Sequence, residues 1–389
     1  LLLRAVGARP TAALFAAAVF AVHPVHAEAI ANTVGRAELM AATFIFAAAL
    51  FWTRPPREAS RPTGAALLGL LTMLALLAKE SAAVLPGLLI VTDVMLRRLS
   101  PGDVTSWLRT RLLPLGVCVA VVAVFFTLRT LLPGGLTPDN LDPSLEVLTD
   151  PADRVMTALQ AWPHYARLLF FPRQLLADYG PRIIMPAVAP GPAVILGLVL
   201  LAACVLGGLL AWERERPLAA GALLWFAVAV LPVSNLLIPI GVLVAERTLY
   251  LPSAALSFGI VAAAQIRVAR QPRVALRRLL AAAAGVALGL LAVRTVARVA
   301  DWKSTNSIFA ALVRDRPDSF RGAWHFARLD AAHGFHASAA QRYAEALRLW
   351  PYRHRLVREA ALHANSTGDA ARAQRLITFT LQRWPDDLV

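Results

Sequence analysis

The sequence has few charged residues and almost no cysteine. Asp, Glu, Lys and Arg make up 16% of its 389 residues, whereas 58% are hydrophobic. Soluble proteins carry about 25% charged residues. A bilayer is therefore expected to surround most of the chain. Its two cysteines, Cys118 and Cys204, lie in apolar segments, which argues against a disulfide framework or a zinc site.

Several familiar catalytic motifs are also missing from the sequence. It contains no phosphate-binding P-loop, no GxSxG motif and no HExxH motif. An ATP-driven pump, a serine hydrolase and a zinc protease therefore have no support. The net charge of +15 comes from arginines in short tracts between apolar stretches. This pattern is typical of membrane topology and indicates no nucleic-acid partner.

Apolar stretches predict an all-α fold, a polytopic transmembrane helical bundle with about nine spans. They cover residues 11–22, 38–52, 64–78, 82–96, 112–132, 193–212, 217–233, 253–266 and 278–297. Residues 64–96 would measure about 50 Å as one helix, which is too long for one crossing. We therefore expect a hairpin that turns at Lys79 and Glu80.

Basic clusters alternate with the apolar stretches and predict the topology. They are Arg4/Arg9, Arg54/Arg57/Arg61, Arg97/Arg98/Arg109/Arg111, Arg214/Arg216 and Arg267/Arg270/Arg273/Arg277/Arg278. Each is expected to mark a cytoplasmic loop. The opposite side then holds residues 23–37, the turn at 79–81, the long loop 133–192, residues 234–252 and everything after 298.

The long loop 133–192 mixes prolines with acidic residues and is too long for a simple connection. Its segment 162–172 predicts an interfacial helix with aromatic residues and His164 at headgroup level. An anchoring helix without chemistry is the alternative.

A 34-residue period begins after residue 300. Pro317, Pro351 and Pro385 are 34 residues apart, as are Gly334 and Gly368. This is the tetratricopeptide period, so residues 1–300 are expected to form the transmembrane domain and residues 301–389 about two helical-pair repeats. Such arrays usually bind peptides on their concave face, although a purely structural cap is an alternative. We expect the array to continue beyond Val389.

Ionisable side chains on the predicted outer side are the candidate site residues, because charge near a bilayer is costly. The first cluster is His23, His26, Glu28, Asn32, Arg36 and Glu38. On one helix, Glu28, Asn32 and Arg36 would share a face, where Arg36 binds a phosphate and Glu28 or His26 moves a proton. A hydrogen-bonded polar cap and a metal site at the two histidines are the alternatives.

Three further groups lie on the same predicted side. They are Lys79 with Glu80, Glu246 with Arg247 and Tyr250, and Asp178 with Tyr179. The second group lies in a stretch broken by proline and glycine, and irregular backbone at membrane depth is tolerated where it lines a cavity. A snorkelling lysine and a structural Glu–Arg pair are the alternatives.

Four segments followed by the repeats resemble the transmembrane and tetratricopeptide repeat-containing proteins, a branch of the C-type glycosyltransferase superfamily. They are FAVHPVHAEAIANTVGRAELMAATFIFAAALFW (20–52), LLAKESAAVLPGLLIVTDV (76–94), LLADYGPR (175–182) and AERTLYLPS (245–253). The resemblance implies a glycosyltransferase that moves mannose from a polyprenyl-phosphate sugar to Ser or Thr hydroxyls of proteins. It also implies that the active site and repeats are non-cytoplasmic.

The superfamily carries a paired acidic motif in its first outer loop, which is expected upstream of Leu1. The catalytic base is therefore not assigned. Candidate acids and bases are His26, Glu28, Glu38, Glu80 and Glu246; candidate donor-phosphate ligands are Arg36, Lys79, Arg247 and Tyr250; further candidates are His23, Asp178 and Tyr179. No cofactor is expected, and the sequence does not require a divalent metal.

Two other functions stay open. The chain could be a non-catalytic membrane scaffold that presents its repeats to partner proteins, or a transporter, although no inverted repeat is visible. The Ala-, Arg-, Leu- and Pro-rich composition resembles that of a high-GC bacterial gene, which favours a bacterial plasma membrane.

Overall fold

The computed structural model describes residues 1–100, 102, 104–132, 141–269 and 274–384, and no strand occurs among them. The first ten helices are α1 (Leu2–Ala5), α2 (Pro10–Ala21), α3 (Ala27–Ala31), α4 (Arg36–Trp52), α5 (Pro56–Ala59), α6 (Pro62–Ala78), α7 (Leu85–Met95), α8 (Val104–Leu131), α9 (Pro143–Glu146) and α10 (Pro151–Leu159). The other ten are α11 (Ala161–Phe170), α12 (Pro192–Glu213), α13 (Pro217–Val230), α14 (Ala254–Ala269), α15 (Val274–Asp301), α16 (Thr305–Asp315), α17 (Phe320–Ala332), α18 (His336–Leu349), α19 (His354–Ser366) and α20 (Ala370–Arg383). Short 3-10 helices cover Pro24–His26, Thr33–Gly35, Glu80–Val84, Leu231–Val233 and Glu246–Leu249.

Arg–Pro junctions define where three of the apolar helices begin. Pro10, Pro62 and Pro217 are the first residues of α2, α6 and α13, and each follows an arginine. Proline suits the first helical turn because its φ is already helical and its missing N–H would have no partner there. These three basic tracts therefore end where an apolar helix starts.

All nine apolar segments predicted from the sequence lie on helices, and the chain is a multi-pass membrane protein. Within the described ranges, four helices are long and apolar enough to cross a membrane: Thr33–Trp52, Val104–Leu131, Pro192–Glu213 and Val274–Asp301. A fifth is added if Pro10–Ala21 and Pro24–Ala31, which are bent by 45°, form one span. The count of nine spans stays a prediction.

The predicted break at Lys79 is confirmed. Helix α6 ends at Ala78, Lys79 is extended (φ −157°, ψ 131°), and helical structure resumes at Glu80. After α7, the Arg98 guanidinium donates to the carbonyl oxygens of Trp52 (3.0 Å) and Thr53 (2.7 Å) at the end of α4. The chain has therefore returned to the end of the bundle at which α6 begins.

Ion pairs join the helices at the opposite end. The Lys79 ammonium lies 2.7 Å from Glu38 Oε1 at the start of α4, and the Arg129 Nε lies 2.9 Å from Glu80 Oε1. Helices α4, α6, α7 and α8 thus share a basic end, near Arg54 and Arg98, and a second end that we call the acid–base end. Which membrane side each end faces stays a prediction.

Arg111 belongs to a basic cluster that was predicted to lie in a loop. It lies instead within α8 and is fully buried. Its Nε and Nη2 donate to the Asp93 carboxylate at 2.8 and 2.9 Å, and its guanidinium lies 4.0 Å from the centroid of a Trp52 ring. Asp93 also lies 3.8 Å from Arg98, so Arg111 lies at the basic end with the rest of its cluster, but on a helix rather than in a loop.

Helices α17–α20 form two antiparallel pairs that repeat every 34 residues. The bounds of α19 and α20 are those of α17 and α18 plus 34. Gly334 and Gly368 both have a φ of +80°, which L side chains rarely adopt, at the turn inside each pair. Ala339, Tyr343 and Ala346 are buried in the core that the helices of the repeats share. The domain division at residue 300 stays a prediction.

The repeats rest on the long loop of the membrane part. The Arg353 guanidinium lies 2.5 Å from Glu146 Oε2, and the Arg321 Nε lies 3.2 Å from Asp178 Oδ1. Val147 packs against the repeat core. The start of this loop, residues 133–140, lies outside the described residues.

The interfacial-helix prediction for residues 162–172 is correct only in part. Helix α11 is present, but Trp162 and Tyr165 are buried against neighbouring helices. Phe170 and Phe171 are the exposed aromatic residues, at 65% and 74%. The prediction failed for Trp162 and Tyr165 because both pack into the core that α11 shares with α12.

Candidate functional site: a cationic cavity

A cavity of about 530 Å³ opens at the acid–base end of the bundle. Its polar lining includes Lys79, Glu80, Ser81, Arg129, Arg247 and Thr248. Its apolar lining includes Phe126, Leu237, Ile238, Ile240 and Val242. We call this site the cationic cavity. Three cations facing an apolar wall form a site suited to an anion that carries a hydrocarbon chain.

Asn235 shapes the irregular segment that supplies the apolar wall. Its φ of 59° lies in the left-handed region, which asparagine tolerates better than most residues. Its side-chain amide donates to the Val242 carbonyl (3.0 Å), and its Oδ1 accepts from the Ile240 N–H (2.7 Å). These bonds close residues 235–242 into a compact loop without regular helix. This broken stretch lines the cavity, but of Glu246, Arg247 and Tyr250 only Arg247 is among the lining residues.

Glu28 holds Arg247 at the edge of the cationic cavity. The backbone N–H of Arg247 donates to Glu28 Oε2 at 3.0 Å, and its guanidinium pairs with Glu28 Oε1. Glu28 is 2% exposed. Hydrogen bonds between ionised groups are roughly twice as strong as neutral ones. Arg247 is therefore fixed through both its backbone and its side chain.

Each of the three cavity cations has a carboxylate partner. Arg247 pairs with Glu28, Lys79 with Glu38 and Arg129 with Glu80. The cationic side chains stay 17%, 27% and 33% exposed respectively. A phosphate in the cavity can therefore reach these cations, while the carboxylates keep them compensated in its absence.

His26, Ser253 and Tyr250 lie together behind Arg247. The His26 Nε2 lies 2.7 Å from Ser253 Oγ, and its ring centroid lies 4.6 Å from that of Tyr250. Burial raises the pKa of the Tyr250 phenol. The Tyr250 hydroxyl is therefore protonated at neutral pH and can donate a hydrogen bond.

His23 lies beside this group, with its ring centroid 5.7 Å from that of His26, but its hydrogen bonds go elsewhere. Its Nδ1 accepts from the Val25 N–H (3.3 Å), so Nε2 carries the proton and donates to the Leu169 carbonyl at 3.0 Å. Among the residues that the structure describes, no three His, Cys, Asp or Glu side chains are grouped to hold a metal ion. The alternative of a metal site at His23 and His26 therefore gains no support.

Glu246 is fully buried next to Arg247 in the chain. Its Oε1 accepts from the Leu176 N–H (2.6 Å), the Tyr179 hydroxyl (3.0 Å) and the Arg298 guanidinium (3.4 Å). Burial raises the pKa of Glu246 to about 7, against the opposing effect of Arg298. Burial also raises the pKa of Tyr179 well above its usual value.

Asp178 binds the repeats rather than the cationic cavity. Its carboxylate pairs with Arg321 of α17, and burial raises its pKa. Arg36 is exposed at the start of α4 and is not among the residues that line the cavity. The structure thus brings Lys79, Glu80 and Arg247 together and leaves Asp178 and Arg36 outside.

The predicted shared face of Glu28, Asn32 and Arg36 is wrong. Helix α3 ends at Ala31, and Asn32 is extended (φ −83°, ψ 130°). The Asn32 side chain accepts a hydrogen bond from the Val34 N–H (3.2 Å) and caps a new 3-10 turn. Short polar side chains compete with the helix in this way, so the four-residue spacing does not persist.

Sequence reasoning missed Arg129 and Arg298 as members of these clusters. Both lie near the ends of long apolar helices, α8 and α15. A charged residue inside the last turns of an apolar helix is itself a signal, because it must reach either the interface or a partner. Their partners, Glu80 and Glu246, lie 49 and 52 positions away.

Comparison with known proteins points to one group of enzymes. A protein O-mannosyl-transferase of Caenorhabditis elegans is 26% identical over 342 residues, covering 87% of this chain and 46% of the relative. Protein O-mannosyl-transferase TMTC4 of Mus musculus is 27% identical over 375 residues, covering 86% and 49%. TMTC3 of the same species is 29% identical over 324 residues, covering 77% and 35%.

These relatives are the TMTC proteins, which is the family that the sequence motifs indicate. The chain spans half or less of the length of each. No protein-family model matches the chain, and no solved structure matches it.

Proposed function

We propose that this chain is a membrane glycosyltransferase that moves mannose from a polyprenyl-phosphate sugar to Ser or Thr hydroxyls of proteins. The observation that carries the proposal is the cationic cavity, in which three cations face an apolar wall. A polyprenyl phosphate has the same two parts, a charged group and a hydrocarbon chain. The names of the TMTC relatives support the sugar and the protein acceptor.

Arg247, Lys79 and Arg129 are the proposed ligands of the donor phosphate. In the reaction, the acceptor hydroxyl oxygen bonds to the anomeric carbon, and the bond from that carbon to the phosphate oxygen breaks. The lipid phosphate leaves with the electron pair, and the hydroxyl proton passes to a base. Fixed cations stabilise the charge that develops on the leaving phosphate.

We further propose that no divalent metal is needed for transfer. The three cations can supply the positive charge that a metal ion would bring to a phosphate. Transfer that survives EDTA supports this, whereas transfer that requires added Mg²⁺ or Mn²⁺ contradicts it.

We propose a bacterial plasma membrane as the location, with the cavity and the repeats on its non-cytoplasmic side. Both lie at the acid–base end, since Arg321 of the repeats binds Asp178 in the long loop. Arg54 and Arg98 of the described basic tracts lie at the other end, where the positive-inside rule places the cytoplasm. Single cysteines introduced at exposed Arg57 and Arg328 should react on opposite sides of intact cells.

Transfer is tested with the purified full-length protein in nanodiscs, a radiolabelled polyprenyl-phosphate mannose and a Ser/Thr-rich protein acceptor. We expect label to move from the organic phase to the protein, and to be released by mild base as expected for an O-glycoside. A protein that binds acceptors through its repeats but transfers no sugar would be the scaffold instead.

A further inference from the structure

A second charged pair lies behind Arg247 and outside the cavity lining. Arg298, 1% exposed at the end of α15, lies 3.4 Å from Glu246 Oε1 and 3.3 Å from Asp301 Oδ2. Glu246 itself is 0% exposed and directly precedes Arg247. The backbone that carries Arg247 is therefore anchored by Glu246 on one side and by Glu28 on the other.

Only one of the two oxygens of the Glu246 carboxylate has hydrogen-bond partners. Oε1 takes all three hydrogen bonds, from Leu176, Tyr179 and Arg298. Oε2 is buried and makes no hydrogen bond to any described residue. Other charged or titratable groups near it are Glu28, whose charge opposes ionisation of Glu246, and His26 on the adjacent 3-10 helix.

The charge beside Arg247 changes with the protonation of Glu246. When Glu246 is ionised, it and Asp301 are two negative charges at Arg298. When Glu246 is protonated, only Asp301 pairs with Arg298, and the surroundings of Arg247 carry one negative charge fewer. A buried charge acts strongly on its neighbours because little solvent screens it. An anion held by Arg247 therefore experiences a more positive site when Glu246 is neutral.

We infer that Glu246 and Arg298 are positioning residues. They fix the backbone position of Arg247 and set the electrostatic potential at its guanidinium. The cavity then binds an anionic lipid more tightly when Glu246 is protonated. This inference rests on the proposed binding of the donor phosphate at Arg247. It assigns Glu246 no contact with the reacting atoms.

The direction of the pH effect follows from the ionisation of Glu246. Burial raises the pKa of Glu246 to about 7. Below that pH the carboxyl is neutral and the cavity is more positive; above it the carboxylate adds a negative charge beside Arg247. Donor affinity should therefore fall as pH rises through the neutral range.

The experiment measures the Kd of polyprenyl-phosphate mannose for the whole chain in nanodiscs between pH 5.5 and 8.5. This donor is a phosphodiester and keeps one negative charge throughout, so the ligand does not titrate. We expect Kd to rise at least about fivefold across the range, the lower end of usual coupling between sites. Glu246→Gln should bind as the parent does at pH 5.5 and should show no pH dependence.

Two control variants test whether the pH dependence of donor binding comes from Glu246. His26→Gln removes another titratable group and should keep the pH dependence of the parent. Glu246→Gln with Arg298→Met removes both charges, which buried pairs tolerate better than loss of one. This double variant should fold, bind more weakly than Glu246→Gln and show no pH dependence.

Each outcome decides between the two proposals. A parent that binds the donor with no pH dependence, or a Glu246→Gln variant as pH-dependent as the parent, overturns the inference and leaves the proposed function standing. A folded parent that binds no donor at any pH removes both.

Discussion

Arg247 is the residue on which the proposed chemistry depends most. Its guanidinium lines the cavity and is oriented by Glu28. Arg247→Ala should reduce transfer by about 10²–10³-fold, the usual cost of losing one group that stabilises transition-state charge. Arg247→Lys should retain part of the activity because it keeps the charge but loses the guanidinium geometry.

The measurement is the initial rate of mannose transfer at saturating acceptor. Arg57→Ala is the matched control, since Arg57 is exposed near the basic end. Unchanged turnover in a well-folded Arg247→Ala protein would remove Arg247 from the donor site.

The buried Asp93–Arg111 pair offers a second residue-scale prediction. Both side chains are fully buried. Asp93→Leu alone should destabilise the bundle by about 3–5 kcal/mol, because it leaves a buried guanidinium uncompensated. Asp93→Leu combined with Arg111→Met should recover most of that loss.

Thermal unfolding in detergent measures both variants. A double variant no more stable than the single one would show that Arg111 acts mainly through its contact with Trp52 rather than through its charge.

Some residues of the candidate site could be predicted from the sequence and others could not. Lys79, Glu80 and Arg247 were predicted and share one cavity, because charge at the end of an apolar segment is a local signal. Glu28 and Arg247 lie 219 positions apart in the sequence, so no local sequence pattern predicts that they form a pair. Arg36 was misplaced because one capping residue, Asn32, ended the helix on which the prediction relied.

At the scale of helices, packing predicts that alanine substitutions at two glycines have different effects on stability. A Cβ added at Gly197 in α12 would lie 2.0 Å from the Leu159 backbone carbonyl oxygen, whereas one added at Gly259 in α14 meets nothing within 4 Å. Gly197→Ala should destabilise the protein by about 1–3 kcal/mol, because backbone cannot yield easily. Gly259→Ala should be neutral or slightly stabilising.

Melting temperatures of the two variants in the same detergent check this contrast. Equal melting temperatures would mean that α10 and α12 pack less closely than the structure shows.

The helices could be predicted from the sequence more completely than the site residues. All nine apolar segments are helical, because the apolar run is a local property. The repeat pairs follow from a 34-residue period that is visible in the sequence. The irregular loop at residues 235–242 was recognised by its prolines and glycine, but its closure by Asn235 depends on hydrogen bonds that propensity does not reveal.

Docking of the repeats onto the membrane part gives a prediction for the whole molecule. The Arg353–Glu146 pair lies at that contact, with side chains 15% and 28% exposed. Arg353→Glu should loosen the contact through like-charge repulsion, and the swap Arg353→Glu with Glu146→Arg should restore it. Hydrogen exchange of residues 141–187 should speed up in the single variant and return towards the parent rate in the swap.

Faster exchange confined to α19 itself would show that Arg353 stabilises its own helix rather than the docking contact. The repeats and the cavity would then be mechanically independent.

The lengths of the helices that begin at Arg–Pro junctions bear on how deep the cavity lies. Helices α2, α6 and α13 begin at the basic end and contain 12, 17 and 14 residues. At 1.5 Å per residue they measure about 18–26 Å, less than the roughly 30 Å of a hydrocarbon core. The far ends of α6 and α13 adjoin the cavity, which is lined by Lys79 after α6 and by Pro232 and Val233 after α13. A lipid phosphate bound as proposed would then lie below the ordinary headgroup plane wherever these helices cross the bilayer.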